Sequence, residues 1–319
     1  MPRSTDPLAR LAGHIDWIEL VTGFACNCRC RVCSSGLQAG STPLDYEEMA
    51  AWLARGRELG ATAVWLGGGE PTLHEDLLRT IARARSLGYR RVRVQSNGLR
   101  LAYPAYVASL ARAGTTEVAL SVMGWDAKSH DAMVRRDGAW ELLARAFDNL
   151  RASAVRLEAD VLLTVPLLSH LADLVEELAR RGAKGLTFWL VSLHGLPDDP
   201  AVTRLVPPLG KLRAPLREAF ARMQACGLDA TSLHTPPCAL APEDRDRYLH
   251  SGRYRLLVVV PGGQPFMAEE SPMERGLFPP KPCRGCAARK DCLGLRADQL
   301  RLHGTANLMP VPRFRRRRP

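Results

Sequence analysis

The chain has 319 residues, of which 46% are hydrophobic and 24% are charged, a composition that can bury a sizeable core. Its net charge of +11 and its pI of about 9.5 favour an acidic partner: an acidic peptide, a phosphorylated small molecule or nucleic acid. No apolar stretch approaches the roughly 20 residues of a membrane helix, and the N-terminus lacks an apolar signal segment. We therefore expect a cytoplasmic protein with reduced cysteines and no membrane partner.

The first two thirds of the chain alternate between strand-like and helix-like segments. In chain order, strands are predicted at 15–21, 62–68, 91–96, 116–122, 155–165 and 185–193, and helices at 44–60, 75–88, 105–114, 139–152, 171–182 and about 211–226. Strands separated by helices of this length imply βαβ units and a parallel sheet. Six such units predict an α/β fold, a partial (β/α)6 barrel, because a closed eight-stranded barrel would need more chain.

Four unusual loops follow the first four predicted strands, and they read FACNCRCRVC, GGGEPT, SNG and MGWD in chain order. The carboxyl ends of parallel strands meet at one edge of a sheet. We therefore expect the four loops to open on the same face and to form the functional site.

The first of these loops holds four cysteines within eight residues, Cys26, Cys28, Cys30 and Cys33. In a chain without a signal segment, clustered cysteines indicate metal or redox chemistry more often than disulfides. The spacing allows C-x3-C-x2-C or C-x-C-x2-C, and three such thiolates can wrap three corners of an iron–sulfur cluster. The alternative is a closed zinc site with four cysteines, which the closeness of Cys28 to Cys30 makes awkward.

Two motifs together resemble the signature of radical S-adenosylmethionine (radical SAM) enzymes. Cys26, Cys30 and Cys33 have the C-x3-C-x2-C spacing after the first strand, and the GGEP sequence at 68–71 follows the second. The resemblance covers residues 15–193. It implies that the three cysteines hold a [4Fe–4S] cluster and that the fourth iron binds the amino and carboxylate groups of SAM.

The resemblance also assigns the GGEP residues to SAM. Gly68 and Gly69 would let the backbone approach the methionyl amino group, Glu70 would accept a hydrogen bond from that group, and Pro71 completes the motif. The alternative for this loop is a strand-to-helix turn in which Glu70 stabilises the start of the helix.

Further residues around the loops receive roles from the same resemblance. Asn97 and Ser121 are expected either to contact SAM or to serve turn chemistry. Val32 occupies a position where many members carry an aromatic residue against the adenine, so we expect an apolar contact without stacking. Cys28 is the spare thiol and is not expected to bind iron, and His130 is expected to be structural.

A second group of cysteines lies in a segment rich in Pro and Gly that begins near residue 228. Cys238, Cys283, Cys286 and Cys292 resemble the ligands of the SPASM or twitch extensions of radical SAM enzymes. The resemblance implies that they hold one auxiliary [4Fe–4S] cluster. Four thiolates also suit a zinc knuckle, which is the alternative.

Two residues near this group complete the set of candidates. Arg296 occupies the slot in which the full SPASM pattern carries a further cysteine. Cys226, near the end of the last predicted core helix, is expected to be a buried apolar residue. The sharper alternative is that Cys226 donates a hydrogen atom to a substrate radical, as in epimerising members.

The predicted organisation is a lead-in at 1–14, a partial barrel at 15–227, a Cys-rich extension at 228–304 and a basic tail at 305–319. The extension lacks a long amphipathic helix, so we expect it to have little core of its own and to be held by metal. The arginine-rich tail is expected to be a solvated, disordered end rather than a binding arm.

The resemblance implies a radical reaction. The reduced cluster passes an electron, supplied by a flavodoxin- or ferredoxin-type donor, to SAM. SAM is cleaved to methionine and a 5′-deoxyadenosyl radical, which takes hydrogen from a substrate C–H bond. We predict maturation of a ribosomally made peptide by crosslinking or oxidation, with a separate recognition protein because the lead-in is too short for a peptide-recognition domain.

Two alternatives to peptide maturation remain. One is the oxidation or epimerisation of a small molecule such as an aminosugar. The other, remote one is a non-catalytic, zinc-holding protein that binds nucleic acid through its basic charge. The aromatic content of 6% and the lack of a nucleic-acid-binding signature count against that second hypothesis.

Overall fold

A computed structural model describes residues 8, 11–33, 41–193, 196, 199–271 and 274–312 of the chain. The arginine-rich end from residue 313 onward lies outside these residues, so its predicted disorder stays a prediction. The strands are β1 Trp17–Val21, β2 Ala63–Gly67, β3 Arg91–Ser96, β4 Glu117–Val122, β5 Arg156–Leu163, β6 Gly185–Leu190, β7 Asp229–Leu233, β8 Tyr248–Leu249, β9 Leu256–Val259 and β10 Phe266–Met267.

The helices lie mostly between consecutive strands. They are α1 Tyr46–Glu58, α2 Leu77–Ser86, α3 Pro104–Ala113, α4 Ala127–Val134, α5 Ala139–Arg151, α6 Leu171–Arg180, α7 Pro200–Thr203, α8 Arg213–Ala225, α9 Ser251–Tyr254, α10 Pro280–Cys283 and α11 Ala297–His303. None of these described helices combines the length and the apolar character needed to cross a bilayer.

The described strands form one sheet in the order β10–β9–β1–β2–β3–β4–β5–β6–β7–β8. All neighbours pair in parallel except β10, which runs antiparallel to β9. The six predicted strands are confirmed as β1 to β6, joined by helices as expected for βαβ units. The sheet is an unclosed α/β barrel whose two edges are β8 and β10.

The segment after residue 228 is more closely joined to the barrel than its composition indicates. Strands β7 and β8 extend the sheet beyond β6, and β9 pairs with β1 at the other end. Tyr248, Leu257 and Leu295 belong to the main core. The boundary between residues 227 and 228 stays a prediction. The expected appendage contributes four strands to the sheet, and its apolar LLVV run forms β9, which is fully buried.

Helix α1 shows how local sequence sets the ends of an element. Asp45 caps it: its side chain accepts from the N–H of Glu48 over 2.8 Å, and the Glu48 carboxylate accepts from the N–H of Asp45 over 2.9 Å. Met49 and Leu53 are buried against the sheet side of the core, as the predicted apolar face requires.

The strands carry different chemistry on their two faces. In β1, Ile18 and Leu20 pack into the main core beneath the helices, whereas Glu19 faces the barrel interior. Deeper in that interior, Arg93 donates to the Asp160 carboxylate over 3.1 Å, and both side chains are less than 10% exposed. The interior therefore holds charged groups, and pairing offsets the cost of their burial.

Candidate active site

The loops after β1 and β2 lie against each other, backbone to backbone. The N–H of Gly69 donates to the carbonyl oxygen of Gly23 over 2.8 Å, and the N–H of Glu70 donates to that of Ala25 over 2.8 Å. These two bonds fix the start of the cysteine loop against the GGGEP loop immediately before Cys26.

Gly68 and Gly69 are required by this contact, because it leaves no room for a side chain. A Cβ on Gly69 would lie 2.4 Å from the carbonyl oxygen of Ala25, and a Cβ on Gly68 would lie 2.4 Å from that of Gly23. Gly68 also has a φ of +117°, in the region that favours glycine. The predicted approach of this backbone to SAM stays a prediction, and close packing on the cysteine loop is a second reason for the glycines.

Glu70 joins the loop after β2 to the loop after β3. Its Oε1 accepts from the Thr72 N–H over 3.1 Å, the Thr72 hydroxyl over 2.6 Å and the Ser96 hydroxyl over 2.8 Å. Its Oε2 accepts from the N–H of Asn97 over 2.7 Å. Burial raises the pKa of Glu70, and these hydrogen bonds act in the opposite direction.

The turn alternative for the GGEP residues is therefore observed. Glu70 caps a short 3₁₀ helix, Pro71–Leu73, whose first residue is the buried Pro71. The Glu70 carboxylate already accepts hydrogen bonds from four protein donors. The predicted hydrogen bond that it would accept from SAM stays a prediction.

Asn97 closes the connection between the third loop and the cysteine loop. Its amide nitrogen donates to the side-chain oxygen of Asn27 over 2.7 Å and lies 3.8 Å from Cys26 Sγ and 3.6 Å from Cys28 Sγ. Its side-chain oxygen accepts from the N–H of Leu99 over 3.1 Å. Asn97 thus performs turn chemistry and also touches two of the loop thiols.

The four thiols of the loop have different surroundings. Cys26 is exposed, whereas Cys30 and Cys33 are half-buried. Cys28 is buried in an apolar cluster with Leu99, Val134 and Ala139. This burial sets Cys28 apart from the other three thiols, and the expectation that Cys28 does not bind iron stays a prediction.

The thiols also influence one another's ionisation. A hydrogen bond with Cys28 lowers the pKa of Cys26 to about 7, and the same bond raises the pKa of Cys28. Burial, together with charge on Cys33 and Cys26, raises the pKa of Cys30 to about 12. The predicted ligands therefore lie close enough to repel one another as thiolates.

Helix α4 holds the middle of the cysteine loop. The N–H of Arg29 donates to the carbonyl oxygen of Val134 over 3.0 Å, and that of Arg31 donates to the carbonyl oxygen of Met133 over 2.9 Å. The loop after β4, which leads into α4, is thereby tied to the same site. The expectation that all four loops open on one face agrees with these contacts.

Three further residues singled out from the sequence lie near these loops: Ser121, His130 and Val32. Ser121 is half-buried on β4 and is paired in register with Asp160 of β5. His130 is buried, its pKa is lowered to about 4 by burial, and its Nδ1 accepts from the N–H of Met123 over 3.3 Å, so its role is structural. Val32 packs beside an apolar cluster of Val191, Leu193, Val202 and Val206. The predicted SAM contacts of Ser121 and Val32 stay predictions.

The second group of cysteines is brought together in the tertiary structure. Cys238, Cys283, Cys286 and Cys292 line one small cavity, although 45 residues of chain separate the first from the second. Burial, together with charge on the other three cysteines, raises the pKa of Cys238 to about 12. In the described ranges, no group of three or more His, Cys, Asp or Glu side chains is placed to hold a metal ion, so both ligand sets stay predictions.

Cys226 is not brought to this site. It is exposed and forms the carboxyl end of α8, three residues before β7 begins. This places Cys226 at the amino edge of the sheet, whereas the cysteine loop follows the carboxyl end of β1. The expectation of a buried residue is wrong, because the thiol points away from the apolar face of α8, and the geometry gives no support to a hydrogen donor.

Arg296, in the slot of the further SPASM cysteine, ties the Cys-rich segment to the barrel. Its guanidinium donates to the carbonyl oxygen of Leu190 at the end of β6 over 3.1 Å and lies 3.5 Å from the Glu274 carboxylate. That carboxylate also lies 2.9 Å from the Nδ1 of His234, whose pKa burial lowers to about 4. The ion pair is buried, with 9% and 16% of the two side chains exposed.

Replacing Arg296 by Ala is expected to lower the free energy of unfolding by about 2 kcal/mol, because Glu274 keeps its burial and loses its cation. Arg284→Ala is the matched control on an exposed site of the same segment, expected to change that energy by less than about 0.5 kcal/mol. Urea unfolding of both variants, followed by circular dichroism, checks this expectation. Equal stability of the two variants would contradict it.

The tertiary structure also reveals a group of residues that the sequence patterns did not single out. A cavity of about 330 Å³ lies inside the barrel, and Glu19, Trp65, Trp189, His234 and Glu274 are among its lining residues. Gly68 lines it as well, so the cavity reaches the GGGEP loop. The available signal was the alternation in β1, which places Glu19 on the inward face between Trp17 and Val21.

The amino-acid sequence of this chain is similar to a family model and to several known proteins. The family model described as the Radical SAM superfamily matches residues 20–169. A probable GTP 3′,8-cyclase of Methanopyrus kandleri is 30% identical over 187 residues, which are 58% of this chain and 59% of that protein. A PqqA peptide cyclase of Rhizobium meliloti is 27% identical over 198 residues, which are 61% of this chain and 50% of that protein. This chain thus spans about half to three fifths of these relatives.

A solved structure shows the same architecture. Streptococcus suis SuiB, bound to its precursor peptide SuiA, superposes with a TM-score of 0.63 at 13% identity, covering 79% of this chain and 59% of that chain. At this identity the likeness concerns the fold alone. It agrees with the unclosed parallel barrel described above.

Proposed function

Because residues 20–169 match the Radical SAM superfamily model, we propose that this chain is a radical SAM enzyme with its cluster at Cys26, Cys30 and Cys33. The observation that carries this assignment is the junction of three loops, in which Glu70 and Asn97 fasten the second and third loops to the cysteine loop. The thiol donor set fits the group, since iron–sulfur clusters are held by thiolates.

The remaining residues of the junction would position SAM. When bound, the cluster and SAM supply the radical chemistry, in which SAM is cleaved reductively and a substrate C–H bond loses its hydrogen atom. The chain supplies orientation, because its loops are fixed to one another by backbone hydrogen bonds. We assign the following residues to SAM binding: Gly68, Gly69, Glu70, Pro71, Asn97, Ser121 and Val32.

We assign a second, auxiliary [4Fe–4S] cluster to Cys238, Cys283, Cys286 and Cys292. Their convergence on one cavity supports a shared ligand, and thiolates suit iron–sulfur and zinc alike. The match of residues 20–169 to the Radical SAM family model favours the cluster. Metal analysis distinguishes the two.

For the substrate, we propose a ribosomally made peptide that is crosslinked or oxidised. The relationship to a peptide cyclase supports this choice, and an electron donor of the flavodoxin or ferredoxin type and a separate recognition protein would act with the chain. The second candidate is a small molecule, favoured by the relationship to a GTP cyclase. Against a triphosphate stands the cavity, whose described lining holds two carboxylates and neither Lys nor Arg.

The test is anaerobic reconstitution with iron and sulfide, followed by SAM and dithionite and an assay for 5′-deoxyadenosine. We expect deoxyadenosine and about eight irons per chain, four for each cluster. About four irons with one zinc would keep the function and give the second site to zinc. A chain that binds no iron and releases no deoxyadenosine would overturn the proposal.

A further inference from the structure

We propose that the barrel cavity binds a positively charged side group of the substrate, an ammonium or a guanidinium, through the carboxylate of Glu19. The inference rests on the proposed function only in calling the bound molecule a substrate. The site itself follows from the position, charge and aromatic lining of the cavity.

The position of the cavity suits a substrate. It lies between the two ends of the open sheet, with Glu19 of β1 and Trp65 of β2 on one side and Trp189 of β6 on the other. Gly68 is part of its wall, so a molecule held there would reach the loop to which we assign SAM. Its volume of about 330 Å³ lies in the range of small-ligand sites and matches a single large side chain with room to spare.

Glu19 is the charge in this cavity that the protein leaves without a partner. Within the described ranges, its carboxylate forms neither a hydrogen bond nor an ion pair. Burial, and to a lesser degree the Glu274 carboxylate, raise the pKa of Glu19 to about 7, although Arg93 acts in the opposite direction. A cation entering the cavity would supply the missing partner.

The neighbouring charges are already matched. Arg93 is engaged by Asp160 at 3.1 Å, and Glu274 is engaged by His234 and Arg296. Because Arg93 and Arg296 are each paired with a carboxylate, they neither neutralise Glu19 nor offer a binding site for an anion. The described lining contains no Lys or Arg that would hold a carboxylate or phosphate.

The aromatic lining adds a second, independent preference. Trp65 and Trp189 meet edge to face with ring centroids 6.0 Å apart, and Tyr254 and Phe266 also line the cavity. Aromatic rings attract ammonium and guanidinium groups. The indole N–H groups of both tryptophans are buried without a hydrogen-bond partner, so they suit an acceptor beside the cation, such as an amide carbonyl.

The test measures binding, without reductant and without turnover. N-acetyl-lysinamide, N-acetyl-argininamide and the uncharged N-acetyl-norleucinamide are titrated by ligand-observed NMR into the full-length chain, as purified and after reconstitution. We expect the two cationic probes to bind at least about tenfold more tightly than the norleucine probe. Glu19→Gln, which keeps the size of the side chain, is expected to remove that preference.

The matched control is Glu158→Gln, a carboxylate of the same barrel near the amino end of β5, where it pairs with Arg156. This variant is expected to keep the preference. Trp189→Phe keeps a ring and loses the N–H, so all probes should bind about threefold more weakly with the preference intact. If Glu19→Gln fails to fold, the comparison of the cationic and norleucine probes on the unmodified chain still tests the cation preference.

Three results would overturn the proposal: equal affinity for the lysine and norleucine probes, a preference that survives in Glu19→Gln, or no binding of any probe below about 10 mM. None of them depends on SAM cleavage. A chain that binds the cationic probes and never releases deoxyadenosine would therefore refute the proposed function and leave the cation site standing.

Discussion

A variant with Cys26, Cys30 and Cys33 all replaced by Ala is expected to lose about four irons per chain and to release no 5′-deoxyadenosine. We expect the rate to fall by at least about a thousandfold, which corresponds to about 4 kcal/mol in activation free energy. The reason is that the three thiols are the only partly accessible ones in the described loop, so nothing else there replaces them as ligands. Iron counting and product assay on the reconstituted variant check this.

Cys28→Ala is the matched control for that triple variant. Cys28 lies in the same loop, but its side chain is buried against Leu99, Val134 and Ala139, so its loss is expected to leave iron content unchanged. The methyl group that remains keeps most of the apolar contact, and the cost in stability should stay near 1 kcal/mol. A Cys28→Ala variant that loses four irons would mean that the alternative spacing, C-x-C-x2-C, holds the cluster.

Replacing Gly69 by Ala is expected to destabilise the chain by about 3 kcal/mol or more and to reduce its iron content. The new Cβ would lie 2.4 Å from the carbonyl oxygen of Ala25 and 2.6 Å from that of Phe24, and both are backbone atoms. Relief requires the cysteine loop to move away, which breaks the hydrogen bonds from Gly69 to Gly23 and from Glu70 to Ala25. Denaturant unfolding and iron counting measure the two effects.

Gly67→Ala tests whether that effect is specific to the contact. Gly67 precedes Gly68 in the same motif, but the nearest atoms to its Cβ would be Glu19 Oε1 at 3.3 Å and Trp65 Nε1 at 3.4 Å. These atoms belong to side chains that can shift, so the expected cost is below about 1 kcal/mol with iron content unchanged. Equal losses in the two variants would show that the loop tolerates no alanine anywhere and would remove the argument from close packing.

Much of the site could be predicted from local sequence. The six parallel strands followed from alternating strand and helix patterns, and parallel pairing then placed the loops after them on one edge. The resemblance set Cys28 apart as the spare thiol; the structure buries Cys28 more than the other three thiols, and its absence from the ligand set stays a prediction. The strands and their common edge could be inferred because each depends on residues within one segment or on a rule of sheet geometry.

Other features depend on contacts between distant segments, which leave no periodic signal in the sequence. Strand β9 pairs with β1 although more than two hundred residues separate Trp17 from Leu256, so the Cys-rich segment became part of the barrel. The exposure of Cys226 follows from which face of α8 meets the sheet. Both were misjudged from composition, because composition does not specify a partner.

The sequence by itself determined the resemblance to radical SAM enzymes, the parallel core and the thiols that lie at the carboxyl end of β1, because these rest on local spacing and strand order. Only the tertiary structure decided why Gly68 and Gly69 are glycines, what Glu70 binds, and that Glu19 faces a cavity without a partner. The physical reason is that close approach, hydrogen-bond satisfaction and burial of charge are properties of pairs of segments, and they exist only once the barrel has brought those segments together.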